Sequence, residues 1–96
     1  MNWKYTVQFP KVPGATAEDE SPETSIKIAA LFRPALETLR DSTYVHSLGF
    51  AAVGVMRTIC DDFLMAKDMD AFNDAMDRLY NFADEHEIWV EPWVTQ

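Results

Sequence analysis

Both ends of this chain read as β-strands, and a strand needs a neighbour for its backbone donors and acceptors. Trp3, Tyr5, Val7 and Phe9 alternate with Lys4, Thr6 and Gln8. This period of two, built from aromatic and β-branched residues, predicts a half-buried strand over 2–9. Ile88, Trp89 and Val90, followed by Trp93 and Val94, repeat that composition near the other end. Pro92 confines this second run to an edge position or a strand end, because proline has no N–H to give the ladder. The two strands are therefore expected side by side, and everything between them must carry the chain back across the domain.

Much of that return has helical pattern. Ser21, Pro22 and Glu23 form a helix start: a capping hydroxyl, a proline tolerated in the first position, and an anion at the positive end of the dipole. Ile28, Leu31, Phe32, Ala35, Leu36 and Leu39 hold helical spacing across Pro34, which predicts a helix kinked or split near that proline. Before it, Pro10, Pro13, Gly14 and an aperiodic acidic stretch read as a mobile surface loop over 10–20. Further on, Ala71, Phe72, Ala75, Met76, Leu79, Tyr80 and Ala83 lie opposite Asp70, Asn73, Asp74, Asp77, Asn81 and Asp84. That stripe predicts a helix over 69–85, capped by Asp68 or Asp70.

The segment 41–66 decides the fold. Wound as a helix, it places Tyr44, Leu48, Ala51, Ala52, Val55, Ile59, Phe63 and Ala66 on one face. Wound as a hairpin turning near Gly54, it alternates poorly, because Tyr44 and Val45, or Ile59 and Cys60, are adjacent apolar pairs. Gly49 and Gly54 count against the helix at about 1 kcal/mol each, unless they admit close packing by another helix. The expected fold is α+β in the order β-α-α-α-β, with the terminal strands adjacent and the helices on one face. The alternative is a ferredoxin-like βαββαβ arrangement with 43–66 as its central hairpin.

Ninety-six residues make a single domain over 1–96, since a second core could not be filled. A hydrophobic share of 48% is enough for an ordinary core. Cys60 stands alone, the N-terminus lacks the basic and apolar regions of a signal peptide, and no run approaches a membrane span. A cytoplasmic protein with no membrane role is expected.

Charge is more informative once located. Sixteen Asp and Glu against eight Lys and Arg give a net charge of −8 and a pI near 4.5, which opposes direct binding to nucleic acid or anionic lipid and points to a basic partner. Residues 1–60 are neutral, and the whole excess lies in 61–96, where ten acidic residues face only Lys67 and Arg78.

Catalytic chemistry fails on spacing. His46 and Cys60 are fourteen residues apart, a rise of about 21 Å along a helix. Two histidines and one cysteine cannot close a zinc site without carboxylates. Asp68-Met69-Asp70 begins like a calcium loop, but Phe72, Asn73 and Leu79 occupy its fifth, sixth and twelfth positions. There is no phosphate-cradling glycine loop and no nucleophile elbow. No enzyme, metal or cofactor is expected.

Binding chemistry is better supplied. Asp70, Asp74, Asp77 and Asp84 recur at steps of four, three and seven, so they share the outer face of their helix, with charges roughly 4.5–6 Å apart along the axis at the shorter steps. Asp is used where Glu would favour the helix, and Asp61 and Asp62 extend the charge onto the preceding segment. Such a face suits Lys and Arg lining a nucleic-acid-binding groove. In size and charge the chain resembles the small acidic inhibitors by which phages and mobile elements block host nucleic-acid enzymes. The resemblance rests on composition and implies a nucleic-acid mimic acting on a protein.

A rival surface is aromatic. Trp89, Glu91 and Trp93 share one face of the last strand and Ile88, Val90 and Val94 the other, so either the tryptophans or the aliphatic residues enter the core. Indoles left outside would form an apolar contact for assembly or a homodimer, whereas the core alternative lays Trp89 over a helix.

Overall fold

The computed structural model describes residues 2–10 and 22–91. The element order is β1 (Tyr5–Val7), α1 (Pro22–Arg40), α2 (Thr43–Ser47), α3 (Phe50–Met65), α4 (Met69–Glu85) and β2 (Ile88–Val90). The fold is α+β, with the terminal strands paired and the second of the three expected helices divided in two. The loop expected over 10–20 lies, from Lys11 onward, outside the described residues, as do the cap expected at Ser21 and the strand extension through Trp93.

β1 and β2 run parallel, with Tyr5 opposite Ile88, Thr6 opposite Trp89 and Val7 opposite Val90. The ladder is shorter than the alternating pattern, but single backbone bonds prolong it at both ends. The Lys4 N–H donates to the Glu87 carbonyl at 2.8 Å, and the Glu91 N–H donates to the Val7 carbonyl at 2.9 Å. Val7, Ile88 and Val90 are buried on the side that the helices cover, and Trp89 stands on the other. The aliphatic residues, not the indole, enter the core. This corrects the reading in which Trp89 lies over a helix as part of the core, because the helices among the described residues cover only the aliphatic side of the strand pair.

α1 runs unbroken through Pro34, so the expected split does not occur. Pro34 lies on the exposed side of the helix together with Ala30, whose carbonyl loses its usual intrahelical donor where water can replace it. Ile28, Phe32, Leu36 and Leu39 face inward. Phe9 stacks on Phe32 at 4.3 Å between ring centroids, and Phe63 meets Phe72 edge-on at 5.4 Å.

The segment 41–66 is helical, which overturns the hairpin alternative. The helix breaks at Leu48–Gly49. Ser42 caps α2 by accepting from the Val45 N–H at 3.1 Å, and Gly49, at φ +107° and ψ 172°, starts α3. Ala52, Ile59, Phe63 and Ala66 are buried as expected, but the break shifts the rest of the face. α3 buries Ala52, Met56, Ile59, Cys60 and Phe63, while Ala51 and Val55, expected inside, are exposed.

α4 has the expected bounds, and Asp68 caps it by accepting from the Ala71 N–H at 2.8 Å. Met69 and Phe82 join its buried stripe, while Ala71 and Tyr80 lie outside it. Tyr44 donates its hydroxyl to the His86 carbonyl, tying α2 to the end of α4. Glu87, at φ +59°, then turns the chain into β2 through the left-handed region where glycine is usual.

Two glycines of similar sequence standing should respond oppositely to alanine. At Gly49 the backbone is one that essentially only glycine adopts, so Gly49→Ala should cost about 1–3 kcal/mol. At Gly54 an added Cβ meets nothing within 4 Å, so Gly54→Ala should gain up to about 1 kcal/mol from helix propensity. Urea midpoints moving the same way in both variants would contradict this.

Cys60 is buried against α1, where its thiol approaches the Leu36 carbonyl at 3.5 Å. Burial pushes the thiol up from 9.0 to about 11. The folded state therefore holds this proton more tightly than the unfolded chain, and the contribution is intact below about pH 9 and lost as pH rises through about 11. Urea titrations from pH 8 to 11 should show a steeper alkaline loss in the parent than in Cys60→Ala, and equal slopes would exclude the coupling.

Candidate protein-interaction surface

The acidic face of α4 follows from its period. Asp70, Asp74, Asp77, Asn81 and Asp84 fall within an arc of about 80° at 3.6 residues per turn. Phe72, Ala75, Leu79 and Phe82 occupy the opposite, buried side. All four aspartates are exposed.

They are not electrostatically equivalent. Arg78 forms an ion pair with Asp62 of α3 and another with Asp74 at 3.4 Å, one turn back on α4. The column is thus partly relieved by its own arginine, a link that the sequence pattern places near the aspartates but does not connect to α3. Among the described residues, Asp61, Asp70, Asp77 and Asp84 make no ion pair.

The helix dipole divides these carboxylates again. Asp68 and Asp70 lie at the start of α4, where N–H groups favour an anion. Asp84 and Glu85 lie in its last turn, which holds no basic residue. Each negative charge there opposes the dipole, at about 0.3–1 kcal/mol.

The aromatic surface adjoins this column. Trp89 is 38% exposed, packs on Trp3 at 5.4 Å between centroids, and donates its indole N–H to Glu91 at 3.1 Å. Trp3, Tyr80, Asp84 and Trp89 line one shallow cleft of about 270 Å³ beside β2. The two surfaces that the sequence sets against each other therefore meet at Asp84. Asp61 lies apart, on the outer side of α3, and Trp93 is outside the described residues. Trp3 and Tyr80 were not recognisable as surface residues from the sequence. Each belongs to an apolar pattern, and only Tyr80's place at the margin of its stripe hints at exposure.

Among the described residues, no three His, Cys, Asp or Glu side chains gather as a metal-binding group, and no helix is long and apolar enough to cross a membrane. Comparison with protein-family models, curated proteins and solved structures finds no match for the chain.

Arg78 gives a test of how the charges are divided. Arg78→Gln removes two exposed or half-exposed pairs, so stability should fall by no more than about 1 kcal/mol. The same change unmasks Asp62 and Asp74, so retention on an immobilised poly-lysine surface at low salt should rise. Weaker retention in a folded variant would mean that the arginine does not mask the column.

Proposed function

We propose that this is a small, non-enzymatic cytoplasmic protein that binds and inhibits a protein bearing a basic, nucleic-acid-binding groove. Asp70, Asp77 and Asp84 meet Lys and Arg of that groove directly, with Asp62 and Asp74 contributing at the α3 side and Asp61, set apart from the column, adding only to the negative potential. The observation that carries the reading is Asp84 with Glu85 in the last turn of α4, where no Lys or Arg accompanies them and Glu85 has only the His86 ring 3.9 Å away. Solubility alone could be met by anions at the favourable end of the helix. Negative potential maintained against the dipole is better explained by a partner that supplies the missing cations. The inhibitor type is that of phages and mobile elements, in which a protein surface competes with phosphate for the same groove.

A second reading draws on the exposed Trp3–Trp89 pair beside the edge of β2. On it the protein is an assembly module that dimerises or joins a larger complex through an apolar contact containing Trp89 and Trp93, since buried Trp and Tyr dominate interface energetics.

Charge separates the two. Partner should be recovered from the native host on the immobilised chain and then titrated against the parent, against Asp77→Asn with Asp84→Asn, and against Trp89→Ala. On the first reading the double Asn variant keeps its fold and loses about 2–5 kcal/mol per desolvated pair, and binding weakens as the screening length shortens from about 30 Å to 8 Å. An affinity unmoved by the Asn changes and by salt, but lost with Trp89, would reject the groove-blocking reading in favour of assembly.

A further inference from the structure

α3 turns an apolar side to the outside. Phe50 is 98% exposed and Val55 49%, although an α-helix packed in a small domain usually keeps such residues inward. Between α3 and α4 lies an open groove of about 640 Å³, with Ala51, Gly54 and Val55 on one wall, Asn81 and Glu85 on the other, and Phe82 beneath. Its volume is in the range of about 300–1,000 Å³ that accommodates a compact ligand or a few large side chains.

Gly54 makes this groove more than a gap. No φ in the left-handed region requires glycine there, and an added Cβ would touch nothing within 4 Å. Neither backbone geometry nor internal packing accounts for it, yet it costs the helix about 1 kcal/mol relative to alanine. What glycine does offer is close approach of another backbone, and within the described chain nothing makes that approach.

The charges around the groove select the occupant. Glu85 stands at one end, and at the other Arg78 lines the groove and is held by Asp62 and Asp74 behind it, so that three carboxylates stand against one guanidinium. Arg57 is exposed on the far side of α3. A second copy of this chain would bring the same carboxylates and another net charge of −8 against them. A basic segment would relieve Glu85 and the one carboxylate by which Asp62 and Asp74 outnumber Arg78.

We propose that the α3–α4 groove docks one amphipathic helix of a partner protein, with small and apolar residues of that helix entering over Gly54 and its flanking Lys or Arg meeting Glu85 at one end and, at the other, the exposed Asp74 carboxylate that Arg78 shares with Asp62. This rests on the reading of a basic partner and names the element of it that is held. Helix-in-groove binding takes side chains spaced three, four and seven apart. Ala51, Gly54 and Thr58 present two turns of α3, about 10 Å of axis, for such a row.

The test uses three labelled 18-residue peptides and fluorescence anisotropy at physiological salt. One peptide carries Leu and Ala at helical spacing with Lys elsewhere. The second keeps that apolar row with Glu for Lys, and the third keeps the Lys with Ser for the apolar residues. The parent should prefer the first peptide at least tenfold over either other. Gly54→Leu, which fills the groove, should weaken it at least tenfold without lowering Tm, and Val55→Lys should do the same if the leucine variant is poorly folded. Unchanged binding of the first peptide to both variants overturns the inference. Equal binding of the two Lys peptides, insensitive to Gly54, overturns the groove while leaving the basic-partner reading standing, whereas failure of both Lys peptides removes the two together. Equal binding of the Glu peptide rejects the charge assignment. Sedimentation equilibrium that shows the parent dimerising and Gly54→Leu monomeric assigns the groove to a second copy instead, and also overturns the proposal.

Discussion

The pairing of β1 with β2 is the contact on which the rest of the structure depends. It joins residues more than eighty positions apart through a few backbone hydrogen bonds, and it can form only if the helices between them return the chain to its starting place. Neither strand has another strand beside it among the described residues, so the pair draws its stability from what it buries. Val7, Ile88 and Val90 lie against a helical core that they help to close. A parallel pair without such cover would be marginal. The same closure sets Trp3 beside Trp89 and brings the end of α4, with Asp84, to the edge of the sheet.

What was legible in the sequence and what was not divides along a physical line. The bounds and cap of α4 could be read because its stripe is long and its polar face uniform. The acidic face came with it, since residues at helical spacing on one continuous helix need no tertiary information. The phase of α3 could be read only in part, because a single glycine at φ +107° restarts the helix. The pattern that begins at Tyr44 holds past Leu48 at Ala52, Ile59, Phe63 and Ala66 but fails at Ala51 and Val55. That error carried Ala51 and Val55 into the expected core, and with them the surface that now borders the groove. Arg78 was visible as a neighbour of Asp74, but its bond to Asp62 joins two helices that only the fold brings together. Trp89 was left between core and surface by an alternation that fits both, and its exposure on the outer side of the strand pair decided it.

The helix α4 shows how one element can serve two demands without mixing them. Its buried side supplies Phe72, Ala75, Leu79 and Phe82 to the core. Its outer side is free to hold charge that contributes little to folding and, in the last turn, works against it. Substitutions of Asp by Asn on that side change potential without changing volume, so surface charge and stability can be varied almost independently. α3 is built differently. Its outer side is apolar at both ends, with Phe50 and Val55 at the start and Leu64 and Met65 at the finish, and Asp61 lies between.

The direction of the strands has a mechanical consequence. Because β1 and β2 are parallel, the chain enters the sheet at one end of the ladder and leaves it at the other. A pull applied through the segments on either side therefore slides the strands past one another and loads their hydrogen bonds together, instead of peeling them apart one at a time. A protein seized by its ends, as during unfolding by a protease motor, would meet its main resistance at this small sheet, and the helices would give way only after it had sheared.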